Sequence, residues 1–192
     1  GATLLNKGHR PYSEQEEYRA ALDFAGDLVV IHLGLNDTDP RNWPNYRDNF
    51  VSDYLSLIES FRKVNPECKI WICRMTPIAH RHPRFKSGTR DWYWQEQATI
   101  EEIAQLGNTG LIDLQAGLYN RPDLLPDALH PNTEGAGILA KTICQELTGN
   151  YGGLQMPVTY SDNMVLQREK PLPITGIANA DQKITVQIAG QK

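Results

Sequence analysis

The sequence has 192 residues, 40% hydrophobic and 22% charged, with 19 basic and 23 acidic side chains and a net charge of -4. That composition suits one globular core and part of a second, and the slight acidic excess leaves no basic footprint for nucleic acid. No apolar run approaches the roughly 20 residues a membrane-spanning helix needs, and residues 1–12 lack the pattern of a signal peptide.

In chain order, Ser13-x-x-Glu16 has the form of a capping box and predicts a helix through Leu22. Residues 28–33 form a continuous apolar run of strand length, as in strands buried on both faces of a parallel sheet, with His32 as a core residue inside it. Between Arg47 and Val64, apolar residues fall at 50, 51, 54, 55, 58, 61 and 64, helical spacing that Asn65-Pro66 ends. A second strand is predicted over 69–75, a helix over 91–106 and a third strand over 111–114. The last helix is predicted over 133–147, with Ala136, Leu139, Ile143 and Leu147 inward and Gly149 as its stop. Strands alternating with helices imply right-handed crossovers, hence an α/β fold with a parallel, doubly wound sheet. Cys68 and Cys73 read as lying on one strand about 16 Å apart, too far to bridge. The three cysteines are therefore expected to be buried free thiols. Beyond Tyr151 the stretches 158–166, 172–177 and 183–188 predict strands, so the domains are expected at 1–150 and, as a partial β-rich segment, 151–192.

In such sheets ligands bind outside the carboxyl ends of the strands, and two polar motifs fall there. Gly34-Leu35-Asn36-Asp37 directly follows the first strand; Asn36 can aim an amide at a developing oxyanion. Asp127-Ala128-Leu129-His130-Pro131 precedes the last helix, with a carboxylate spaced to orient an imidazole as general base. Asn132 is placed to cap that helix. Alone, the first motif also fits an ordinary turn, and the second a loop Asp beside a solvated His.

Together, and in that order, the motifs resemble the SGNH hydrolase family, whose blocks read Gly-x-Asn-Asp and Asp-x-x-His-Pro. The resemblance implies a three-layer α/β/α sandwich, a serine-type carboxylic ester hydrolase and no metal or cofactor. It makes His130 the general base, Asp127 its partner and Asn36 an oxyanion-hole donor. Gly1-Ala2-Thr3 is similar to the end of the family's second block, so Gly1 would complete that hole. The family's Gly-Asp-Ser block, which carries the nucleophile, has no counterpart among Ser13, Ser52, Ser56, Ser60, Ser87 and Ser161. The sequence opens without an initiator Met, and an upstream segment of the same protein is expected to supply that serine and the first strands. Without them, residues 29–33 would form an unpaired apolar edge. The stretch from Met156 to Gln167 is similar to the opening of sialate O-acetylesterases. It points to an acetylesterase acting on sialic acid or other acetylated glycans, periplasmic or secreted. The expected partner is a small-molecule or glycan ester substrate, with neither nucleic acid nor membrane. Arg84, Arg90 and Trp92 fall in the loop after the second strand and suit binding of such a substrate. His80 and His82 are read as part of a solvated basic loop, not as metal ligands. The rival reading is a non-catalytic carbohydrate-binding or interaction fragment.

Overall fold

The computed structural model describes residues 1–83, 88–157, 160–161, 164–167 and 169–187. Its regular elements, in chain order, are α1 (Glu16–Phe24), β1 (Leu28–Ile31), α2 (Trp43–Tyr46), α3 (Phe50–Val64), β2 (Lys69–Arg74), α4 (Thr89–Leu106), β3 (Gly110–Asp113) and α5 (Thr133–Thr148). The chain divides into two compact units, Gly1–Thr142 and Ile143–Lys192.

In the first unit the strands form a parallel sheet in the order β1-β2-β3. Strand order that advances steadily through right-handed crossovers puts the connecting helices on one face, and α3 and α4 do pack together there. The register sets Val29 beside Ile70 and Ile31 beside Ile72, with Leu111 on the other side of Ile72. These rows meet the fully buried Tyr54 and Ile58 of α3 and Ile100 and Ile103 of α4. Each such side chain contributes about 1.5–3 kcal/mol by leaving water, which makes this face the main core. The alternate residues Leu28, Val30 and Trp71 point to the other face, where Leu28 and Val30 remain 48% and 37% exposed. Among the described residues β1 pairs with β2 alone, so its outer edge is open.

Several local expectations change. Ser13 does not cap a helix: its hydroxyl donates to Asn6 Oδ1 at 2.6 Å. Residues Tyr12–Glu14 form a 3-10 turn, and α1 begins at Glu16 without a side-chain cap. β1 stops at Ile31, so His32 lies past the strand and is exposed, its Nε2 3.4 Å from the Thr76 amide. Cys68 likewise precedes β2, and of the three free thiols only Cys73 is buried. Burial pushes the Cys73 thiol up to about 12. On α5, Ala136 is exposed, whereas Ile138 and Leu139 pack on a second cluster formed by Ala79, Leu118, Leu124, Leu125 and Ala128. Leu139 belongs to the predicted stripe and Ile138 flanks it, so the packed face turns away from Ala136 alone.

In the second unit, α5 ends at Gly149 with φ 65°, its amide bonded to the Gln145 carbonyl at 2.8 Å. The predicted strands are not formed among the described residues; one antiparallel bridge joins Gln155 to Ile177. Positions 158, 159, 162, 163 and 188 of those predicted strands lie outside the described residues. Asn179 Oδ1 accepts from Tyr151 N–H at 2.7 Å, and Tyr160 hydroxyl donates to the Pro173 carbonyl at 2.9 Å.

Gly110 opens β3 because the Trp71 ring crosses over it: a Cβ there would lie 2.2 Å from that ring. Gly110→Ala is expected to cost about 1–3 kcal/mol of stability by overpacking, measured by denaturant unfolding. Trp71→Leu in the same chain is expected to recover part of the loss.

Candidate active site

The loop after β1 starts at Gly34, whose φ of 119° is open to glycine alone at little cost, and where a Cβ would press on Met75 Sδ at 3.0 Å. Asp37 follows, buried, and its two carboxylate oxygens accept the amides of Leu4 and Leu5 at 2.9 and 2.8 Å. This ties the first residues of the chain alongside the loop. Asn36 Nδ2 donates to the Ala2 carbonyl at 3.0 Å, and a side chain on Gly1 would fall 2.4 Å from the same nitrogen. A carboxamide carries two N–H donors, so one fixes the Asn36 side chain and a second remains to serve a ligand. Asn42 holds the loop from below, donating to the Asn36 carbonyl at 2.9 Å and accepting from His9 N–H at 3.0 Å.

Burial pushes the Asp37 carboxyl up to about 7, against the downward pull of the Leu5 and Leu4 amides and with a further push from Asp53. Glu96, on α4, is fully buried close to Gly34. Among the described residues neither of its carboxyl oxygens has a hydrogen-bond partner, and burial, with the nearby Asp37, raises its pKa well above the ordinary value. Sequence reasoning did not single out Glu96; its position in phase with Tyr93, Gln97 and Ile100 on the inner face of α4 was the available signal.

The second site segment is a backbone clamp. Asp127 Oδ1 accepts from Leu129 N–H at 2.9 Å and His130 N–H at 2.6 Å, while Oδ2 meets His130 Nδ1 at 2.6 Å. Those bonds, led by the His130 amide, hold the Asp127 carboxyl well below the usual carboxylate range. A carboxylate can only accept, so Nδ1 carries the proton and Nε2 is left as the free basic nitrogen. The turn depends on Ala128, which takes a left-handed φ of 71°. The Ala128 carbonyl accepts from Ala79 N–H at 2.9 Å, and the Arg81 guanidinium donates to the carbonyls of Pro122 and Leu125. Arg81 therefore fastens two loops together where a solvated basic loop was expected. Asn132 Oδ1 caps α5 through the Gly135 amide at 2.9 Å.

Both pairs, Gly1 with Asn36 and Asp127 with His130, belong to loops at the carboxyl edge of the sheet, the second through its bond to the loop after β2. The imidazole of His130 and the carboxylate of Asp127 are 74% and 56% exposed, open to a substrate. Of the residues suggested for substrate binding, Arg84 lies outside the described residues, and Arg90 lines a cavity at this edge. Trp92 instead packs on the main core and over Gly88. The hydroxyls of Ser13, Ser52, Ser56 and Ser60 bond to Asn6 Oδ1 and to the carbonyls of Asn49, Ser52 and Leu57. Ser87 lies outside the described residues, and Ser161 belongs to the second unit. Among the described residues no three His, Cys, Asp or Glu side chains converge as a metal site would require.

A parallel α/β sheet carrying an Asp–His pair and a glycine-flanked Asn at its carboxyl edge defines an acylhydrolase-type scaffold. The sequence matches the GDSL-like Lipase/Acylhydrolase family over residues 1–138, and the chain belongs to that family. It is similar to an acetylxylan esterase of Xylanibacter ruminicola, with 31% identity over 159 residues, 73% of this chain and 32% of that protein. Among solved structures it resembles a protein classed as a GDSL-like lipase from Parabacteroides merdae. The TM-score is 0.56 at 18% identity, covering 70% of this chain and 66% of that one. It also resembles a catalytic variant of Axe2, an acetylxylan esterase from Geobacillus stearothermophilus. There the TM-score is 0.54 at 20% identity, covering 70% and 65%. The chain thus spans about a third of the curated relative's length.

Two consequences are measurable. An acid kept protonated in the fold but ionised in the unfolded chain gives the native state the extra proton. Stability from Asp37 is then fully present below the ordinary aspartate value and falls as pH rises towards about 7. Glu96 acts in the same direction. Glu96→Gln is expected to make the decline of Tm between pH 5 and 8 shallower, followed by thermal unfolding across that range. Ala128→Val is expected to lower stability by about 1–3 kcal/mol, since a β-branched residue tolerates left-handed φ poorly; Ala128→Gly should match or exceed the parent protein.

Proposed function

We propose that this chain is the base-and-oxyanion portion of a serine-type acetylesterase acting on O-acetylated carbohydrate. The observation that carries the reading is the Asp127–His130 contact of 2.6 Å, which leaves Nε2 free as a general base. In the reaction, a serine hydroxyl attacks the ester carbonyl and His130 Nε2 takes its proton, while Asp127 stabilises the resulting imidazolium. The spare Asn36 N–H and the backbone at Gly1 donate to the oxyanion. His130 then protonates the departing sugar oxygen, and water, activated by the same nitrogen, releases acetate from the serine.

We infer that the serine comes from an upstream segment that also adds strands beside β1. The open β1 edge supports this, together with a groove of about 530 Å³ lined by Phe24, Leu28, Val30 and Phe61. Apolar strand edges of this kind normally have a partner. Membership of an acylhydrolase family and the likeness to an acetylxylan esterase support a carbohydrate acetyl ester as substrate. The likeness of residues 156–167 to sialate O-acetylesterases makes sialic acid one candidate among the acetylated sugars, and supports reading 151–192 as part of a second, β-rich domain.

The second reading, a carbohydrate-binding fragment without chemistry, is favoured by one observation: the four described serines of the first unit all use their hydroxyls locally. Both readings are tested in the protein extended by its upstream coding sequence, with p-nitrophenyl acetate. Turnover that His130→Ala lowers by roughly 10²–10⁴-fold, as loss of a general base does, is the expected result. No turnover in the extended parent protein would overturn the esterase assignment.

A further inference from the structure

A cavity of about 280 Å³ opens beyond the end of β2, between residues 77–80, the first turns of α4 and the 118–125 loop. Its wall is aromatic. Trp94 and Tyr119 stand 43% and 55% exposed, with ring centroids 6.1 Å apart at 65°, and Tyr93 backs Trp94 at 5.3 Å. Arg90, His80 and Asn120 bring polar groups to the same lining. Large exposed aromatic surface carries a cost in water unless something covers it.

The cavity is built into the catalytic segment. Leu125 lines it and precedes Asp127 by two residues, Ala79 lines it and bonds to the Ala128 carbonyl, and Arg81, next to His80, donates to the carbonyls of Pro122 and Leu125. A ligand seated against Trp94 and Tyr119 therefore has a fixed relation to the His130 loop. The lining combines flat apolar rings with a few convergent polar groups, the makeup of a small-molecule site. A pyranose ring has the matching surface: an apolar C–H face to lie on an aromatic ring and a rim of hydroxyls to meet Arg90 and Asn120.

We propose that this cavity is a subsite for a neutral pyranose unit of the glycan chain, next to the sugar whose acetyl ester meets His130. The proposal rests on the esterase reading for the identity of the neighbouring sugar, but the cavity's own binding can be measured without any hydrolysis. Xylotetraose, which has no ester, is titrated into the extended protein and followed by calorimetry. Saturable binding is expected, with Trp94→Ala and Tyr119→Ala each weakening it by about tenfold, the scale set by losing one aromatic face. Because both side chains are solvent-exposed, each variant should keep the parent's Tm, and either one suffices if the other misfolds. Absence of binding in the parent protein, or equal affinity in a folded variant, would overturn the subsite. Failure of the esterase reading shows separately, as loss of p-nitrophenyl acetate turnover with sugar binding intact.

Discussion

The paired acceptance of the Leu4 and Leu5 amides by Asp37 joins the start of the chain to the loop after β1. Both partners are buried, so neither can exchange that bond for water without leaving the other polar group unsatisfied. Everything proposed for the oxyanion depends on it. The strap places Gly1 beside Asn36, and the missing side chain at Gly1 lets the Asn36 amide lie where it does. The carboxyl that performs this task sits in a site that opposes its ionisation, with the protonatable Glu96 nearby. A structural fastener and an electrostatic strain thus occupy the same few residues, as is common around functional loops.

The helix α4 gives the rest of the carboxyl edge its rigidity. Gln97 accepts from the Met75 amide at 2.8 Å and donates to the Met75 carbonyl at 3.0 Å, and Tyr93 donates to that carbonyl at 3.1 Å. The end of β2 is thereby capped by side chains where no neighbouring strand continues. Thr89 bonds to the Thr38 carbonyl at 3.0 Å and Gln95 accepts from the Trp43 indole at 3.0 Å. One helix therefore holds both the loop after β1 and the loop after β2, and the second of these holds the Asp127 turn.

The sheet and its long helices were legible because apolar spacing reports which face is buried, and the residues involved here are long continuous runs. The two motifs were legible because chain position at a strand end carries chemical meaning. What the sequence concealed depended on competition or pairing. Ser13 had the form of a cap, but Asn6 offered its hydroxyl a better partner. The alternation after Tyr151 has the period of strands, yet period alone does not provide a neighbour to bond with. Trp92 was read as a substrate-binding residue, and Trp94 lies two positions further on. The helical phase of Tyr93, Gln97 and Ile100 separates them, turning Trp94 outward to the cavity and leaving Trp92 against the core. Glu96 was hidden for a related reason: a carboxylate on an inner face contradicts the ordinary rule for charged residues.

Cys73 gives the molecule an internal clock for its own opening. The thiolate is the reactive form, and a thiol held near 12 in the middle of β2 supplies almost none of it at neutral pH. Cys144 is exposed and faces alkylating reagents directly, and Cys68 is partly buried against the core. Labelling at Cys73 must therefore wait for β2 to separate from its neighbours, so the rate of that single modification reads how often the sheet comes apart.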